Sequence, residues 1–126
     1  LSSGTVVSII DDDEFVRDGV GNLVRSLGYD VIVFSSAEDY LSSDRNRSMS
    51  CIIADIQMPG MNGDELQSRM AAAGNRTPII FMTAFPNERT RTHVLQAGAC
   101  GYLRKPFDDN AFVQCLEKAL SERGRF

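Results

Sequence analysis

Apolar residues along this chain alternate between short continuous runs and longer segments where they recur every three or four positions. The runs are Val6-Val7-Ser8-Ile9-Ile10, Val31-Ile32-Val33-Phe34, Cys51-Ile52-Ile53-Ala54, Ile79-Ile80-Phe81-Met82 and the short Gly101-Tyr102-Leu103. Runs this short and this continuous predict strands buried on both faces. The periodic segments predict helices. Val16, Val20, Leu23, Val24 and Leu27 form one stripe, which Gly28 ends. Gly19 and Gly21 weaken that helix by about 1 kcal/mol each. Ser35-Ser36-Ala37-Glu38 predicts a capping box opening a second helix. Asn62-Gly63-Asp64-Glu65 opens a third, with Leu66, Met70 and Ala73 on one face. A fourth starts near Pro86-Asn87, carries Val94, Leu95 and Ala97, and stops at Gly98. Phe112, Val113, Leu116, Ala119 and Leu120 stripe a fifth, with Asp108 or Asp109 near its start. The polar stretch 42–50 predicts a surface loop.

The order is strand then helix, five times. Alternating units of this kind predict an α/β fold: a parallel sheet with right-handed crossovers and helices on both faces. A length of 126 residues suits one domain with one core, and no repeat or linker divides it. No apolar run approaches the roughly 20 residues of a membrane span. The net charge of −4 argues against a basic nucleic-acid-binding face. The three cysteines, Cys51, Cys100 and Cys115, are odd in number and lack metal-ligand spacing, so buried free thiols in a reducing cytoplasm are expected. His93 is the only histidine, which removes paired-histidine metal sites.

In an open parallel sheet, ligands bind beyond the carboxyl ends of the strands. The residues just past each run are therefore informative. Run one leads into Asp11-Asp12-Asp13, run three into Asp55, run four into Thr83, and run five into Lys105-Pro106. The aspartate triplet by itself has three readings. It suits a helix start facing the positive end of the dipole, a metal site for a hard cation, or an acid/base pair with split pKa values. Asp13 and Glu14 are read as helix-start acids only. Asp11, Asp12 and Asp55 converge on one rim, where three carboxylates without a cation repel one another. Mg²⁺ is the natural occupant, because it binds through few carboxylates and keeps water or phosphate oxygens in its remaining positions. An acidic pocket with a metal, a lysine and a hydroxyl suits phosphoryl transfer, with a carboxylate as nucleophile.

Four motifs carry a family resemblance: "IIDDDEFVR" after the first strand, "IIADIQMPGMNG" around the third, "FMTA" ending the fourth and "GACGYLRKPF" around the fifth. With this order and spacing, the chain resembles response-regulator receiver domains of bacterial two-component signalling over essentially its full length. The resemblance implies a flavodoxin-like five-stranded sheet in the order 2-1-3-4-5. It implies a single receiver domain over 1–126, with 5–123 as its ordered core and no output domain. It implies Asp55 as phosphoacceptor, with Thr83 and Lys105 as its partners in the reaction. Mg²⁺, with Mn²⁺ or Ca²⁺ as substitutes, is then held by Asp55, by Asp12 directly, by Asp11 through water, and by the backbone carbonyl of Gln57. The Lys105-Pro106 bond is expected to be cis. Thr83 and Tyr102 form the switch. The phosphoryl group draws in the Thr83 hydroxyl and Lys105, Tyr102 turns into the space beside Ala84, and the face made by the fourth helix, fifth strand and fifth helix changes shape.

The implied protein is a switch rather than an enzyme. It takes a phosphoryl group from a sensor histidine kinase, loses it slowly, and acts on an output domain or downstream protein. It is cytoplasmic, contacts neither nucleic acid nor membrane itself, and pairs through the same face when phosphorylated. The start "LSSGT" lacks Met and reads as a trimmed end, and "VRDGVGNLVRSLGYDVIVFSSAEDYL" is similar to receivers preceding a LuxR-type helix-turn-helix. An excised N-terminal piece of a longer regulator is therefore expected. Plainer roles compete at several positions: a strand-end hydroxyl for Thr83, a static aromatic for Tyr102, a tight turn for Met58-Pro59-Gly60-Met61, and a solvated helix face for Arg89, Arg91 and His93. Phe85 is read as guarding the pocket mouth. Three rival functions are a haloacid-dehalogenase-type phosphatase, a flavodoxin-like cofactor binder and a receiver that binds without being phosphorylated. The first lacks the sequence context beyond the bare Asp11/Asp13 spacing. The second lacks a phosphate-cradling loop. The third is at odds with the full set Asp11, Asp12, Asp55, Thr83 and Lys105.

Overall fold

A computed structural model describes residues 4–123. Residues 1–3 and 124–126, which the expected domain span includes, lie outside the described residues. The elements run β1 (Val6–Ile10), α1 (Glu14–Ser26), β2 (Asp30–Phe34), α2 (Ala37–Ser42), β3 (Cys51–Asp55), α3 (Gly63–Ala72), β4 (Ile79–Thr83), α4 (Glu88–Gln96), β5 (Gly101–Arg104) and α5 (Asp109–Arg123). The strands form one parallel sheet in the order β2-β1-β3-β4-β5. This is the flavodoxin-like order the resemblance implied.

Burial depends on position in the sheet. β3 and β4 are buried at every residue, whereas β2 and β5 lie at the edges and are half-open. Side chains alternate between faces, so one sheet makes two cores. Val7, Ile9, Ile53, Ile80 and Met82 meet Val20 and Val24 of α1 and Phe112, Leu116 and Ala119 of α5. Ile10, Ile52, Ala54 and Phe81 meet Tyr40 of α2, Leu66 and Met70 of α3, and Val94 of α4. The near-continuous apolar runs have this cause: neither face of a central strand meets water.

Helix starts are capped by short polar side chains. Asp13, Asn62 and Asn87 accept from the backbone N–H groups of Phe15, Glu65 and Thr90 at 2.9, 3.1 and 3.1 Å. Gly28, at φ 93°, turns the chain out of α1. The second helix departs from expectation by one residue. Its cap is Ser36, which accepts from Asp39 N–H at 3.0 Å. Glu38 has no part in that cap and instead accepts the Met61 N–H at 3.1 Å, tying α2 to the loop after β3.

Two other local expectations change. Ala73 caps the C-terminus of α3 in the open rather than sharing its buried face. Gln67 takes a buried place there, donating its amide to the Val94 carbonyl of α4 at 3.0 Å. The 42–50 stretch is surface loop only to Ser48, for Met49 and Ser50 are buried. The loop is held from inside, where the Tyr40 hydroxyl donates to the Asn46 carbonyl and Asn75 donates to both.

Candidate functional site

β1 and β3 are neighbours in the sheet, so the residues at their carboxyl ends meet. Carboxylate oxygens of Asp11, Asp12 and Asp55 all lie within 4.8 Å of one another. Asp11 is fully buried, Asp55 is 6% exposed, and Asp12 faces solvent. Lys105 reaches in from beyond β5, with Nζ 2.9 Å from Asp11 Oδ2 and 3.3 Å from Asp55 Oδ2. Backbone groups satisfy the second carboxylate oxygen of Asp11 and of Asp55. Asp13 N–H donates to Asp11 Oδ1 at 2.9 Å, and Gln57 N–H donates to Asp55 Oδ1 at 3.2 Å.

The electrostatics are those of an acidic pocket with too little positive charge. Burial raises the Asp55 carboxyl above its ordinary range, and the neighbouring Asp11 raises it further, against the pull of Lys105. Burial acts to lower the Lys105 ammonium, but its bonds to Asp11 and Asp55 outweigh this and leave it raised. Three carboxylates face one lysine, and all the donors on offer are hard oxygens. The cluster therefore fits a small divalent cation such as Mg²⁺.

Thr83, the last residue of β4, is fully buried. Its hydroxyl donates to Gln57 Oε1 at 2.7 Å and accepts the Phe85 N–H at 3.0 Å. Tyr102 is half-buried on β5, and its hydroxyl accepts the N–H of Asn87, the residue that caps α4, at 3.1 Å. The Lys105-Pro106 peptide bond is cis. Phe85 is 74% exposed, consistent with a place outside the packed core. Arg89, Arg91 and His93 are exposed on α4, where Arg91 pairs with Glu88 at 3.4 Å.

Several residues of the site carry roles that the sequence pattern does not single out. Arg17 donates to the Asp11 backbone carbonyl at 2.7 Å, bracing the turn that aims the acidic pair. Its spacing of one helical turn past Asp13 is the available clue. Gly63 packs so closely that a Cβ there would lie 2.9 Å from both the Asp55 carbonyl oxygen and the Phe81 ring. Its sequence context marks only a turn. Val16, Val20 and Leu23 belong to the predicted core stripe, yet with Ala84, Pro106 and Phe107 they also line a groove of about 580 Å³ beside Lys105.

Comparison with known proteins places the chain in a family. Residues 7–117 match the family model of the response regulator receiver domain. The transcriptional regulatory protein FixJ of Bradyrhizobium diazoefficiens is 33% identical over 116 residues, covering 92% of this chain and 57% of FixJ. The response regulator protein TmoT of Ectopseudomonas mendocina is 34% identical over 116 residues, covering 92% of this chain and 53% of TmoT. Among solved structures, the response regulator StyR superposes with a TM-score of 0.89 at 36% identity, over 96% of this chain and 61% of StyR. The crystal structure of FixJ-N gives 0.83 at 28% identity, over 93% of this chain and 94% of that one. The chain thus spans a little over half the length of the curated relatives it matches.

Proposed function

The chain belongs to the response regulator receiver domain family, and from that premise we propose that it is a phosphorylation-activated switch whose phosphoacceptor is Asp55. The observation that carries this reading is the meeting of Asp11, Asp12 and Asp55 within 4.8 Å, with Lys105 bonded to Asp11 and Asp55. Such a cluster costs folding energy, and binding a metal and a phosphoryl group gives it a use.

In the reaction, an Asp55 carboxylate oxygen attacks the phosphorus of a phosphohistidine on a sensor kinase. The new bond is P–O, the bond that breaks is P–N, and the electron pair leaves with the imidazole. Asp11, Asp12, Asp55 and the Gln57 carbonyl would hold Mg²⁺, or Mn²⁺ or Ca²⁺ in its place, and the bound ion would neutralise charge on the phosphoryl oxygens. Lys105 supplies a fixed positive charge to the same oxygens. Thr83 then donates its hydroxyl to the phosphoryl group, and Tyr102 leaves its contact with Asn87 to turn inward. Asn87 caps α4, so this movement reaches the α4-β5-α5 face. Slow attack by water on the acyl phosphate restores Asp55. The chain acts on itself and turns over no separate substrate, which makes it a switch rather than an enzyme.

On this reading residues 1–126 are one receiver domain of a cytoplasmic regulator. Its partners are a sensor histidine kinase and an output domain or downstream protein that controls transcription. A phosphorylation-dependent pair forms through α4-β5-α5. The transcriptional naming of the relatives supports the output, and the acidic net charge leaves DNA contact to another domain. Among the described residues no helix is long and apolar enough to cross a membrane.

Intact mass after incubation with acetyl phosphate and Mg²⁺ tests the proposal. One added phosphoryl group is expected, absent in Asp55→Asn and absent without metal. No adduct in the parent, with beryllofluoride also failing to bind, would overturn it in favour of a receiver that works by binding alone.

A further inference from the structure

A threonine hydroxyl has a single proton to donate. In Thr83 that proton goes to the Gln57 side-chain carbonyl at 2.7 Å, and the oxygen's acceptor side takes the Phe85 N–H at 3.0 Å. Thr83 is fully buried, so water offers it no alternative acceptor. Gln57 also donates its backbone N–H to Asp55 Oδ1 at 3.2 Å. One residue therefore touches both the carboxylate proposed to react and the hydroxyl proposed to respond.

We propose that the Gln57 side chain is a latch: it holds Thr83 in its resting orientation, and Thr83 turns only after a phosphoryl group on Asp55 has won the hydroxyl proton from it. This deepens the switch reading and rests on it. Gln57 acts through Thr83, so it is a positioning residue. The step is an exchange of one hydrogen bond for another, with no covalent change. A neutral amide oxygen competes with a charged phosphoryl oxygen, and the charge-assisted bond is the stronger. The latch therefore yields rather than blocks. Gln57 is exposed, so its freed carbonyl passes to water. The part of the cost that Gln57 adds to activation is the net worth of its one hydrogen bond, equivalent to about 2- to 12-fold in affinity for the activating group.

The test is a double-mutant cycle with two readouts. Gln57→Met keeps the side-chain length and removes the amide acceptor, and Thr83→Val keeps the shape and removes the hydroxyl. Beryllofluoride with Mg²⁺, titrated by calorimetry, is expected to bind Gln57→Met about 2- to 12-fold more tightly than the parent. The same substitution in Thr83→Val should change nothing. Unchanged or weaker binding in Gln57→Met, or an equal shift in both backgrounds, overturns the latch. The second readout needs no activating group. Methyl scalar couplings in the metal-free protein should show one Thr83 χ1 rotamer in the parent and averaging in Gln57→Met. Equal ordering in both also overturns the latch. Failure of the parent to bind beryllofluoride overturns the switch reading instead, and the couplings then decide the latch alone.

Discussion

Ser8 sits in the middle of β1, fully buried, and its hydroxyl has no hydrogen-bond partner. A buried hydroxyl without a partner keeps its desolvation cost and gains nothing in return. Ser8→Ala is therefore expected to stabilise the protein by about 1 kcal/mol, read as a higher urea midpoint at unchanged slope. A lower midpoint would mean that the hydroxyl is satisfied after all. The sequence pattern hides this residue, because one serine inside an apolar run leaves the strand prediction intact. Gln57 and Gln67 are illegible for a related reason. Both are polar residues at positions where chain-local reasoning expects solvent, and each finds its partner far along the chain, on Thr83 and on the Val94 carbonyl.

At the scale of the element, local chemistry is largely readable. Short polar side chains mark the starts of α1, α3 and α4, because a cap bonds an N–H only two or three residues away. The triplet Asp11-Asp12-Asp13 is divided between two places. Asp11 and Asp12 join Asp55 in the acidic cluster, while Asp13 caps α1. Asp13→Ala is expected to cost about 1 kcal/mol of stability and Asp13→Asn much less, since asparagine keeps the accepting oxygen. Thermal melts of the two variants check this, and equal losses would show that charge near the acidic pocket matters more than the cap. The second helix shows where such reading stops. Two serines stand side by side, and either one caps acceptably by sequence. Ser36 takes the place, and Glu38 turns to the Met61 N–H, a partner 23 residues away.

For the molecule as a whole, the sheet order sets the energetics of the site. Strands β1 and β3 are adjacent, so the turns after them bring like charges together, and burial raises the Asp55 carboxyl. A raised acid binds its proton more tightly in the folded state than in the unfolded one. Stability from this group is therefore full below the ordinary value of 3.8 and is lost as pH rises through the raised value. At neutral pH the ionised Asp55 is a net cost to the metal-free protein. Asp55→Asn should melt higher than the parent in EDTA at pH 7, and the gap should narrow as pH falls toward 4. Mg²⁺ should also narrow it at pH 7 by stabilising the parent through mass action. A variant that melts no higher than the metal-free parent would show that Lys105 already compensates the charge.

The sequence by itself determined the element order, the parallel sheet and the identity of the groups carried to its carboxyl rim. These come from periodicity and from the residues that immediately succeed each strand, and both are properties of neighbouring positions. Only the tertiary structure decided which of those groups touch. That Lys105 bonds Asp11 and Asp55, and that Thr83 gives its proton to Gln57, are contacts across as many as 94 residues of chain. No local pattern encodes such pairs. They arise when the sheet sets β1, β3, β4 and β5 side by side and each buried polar group takes the partner within reach.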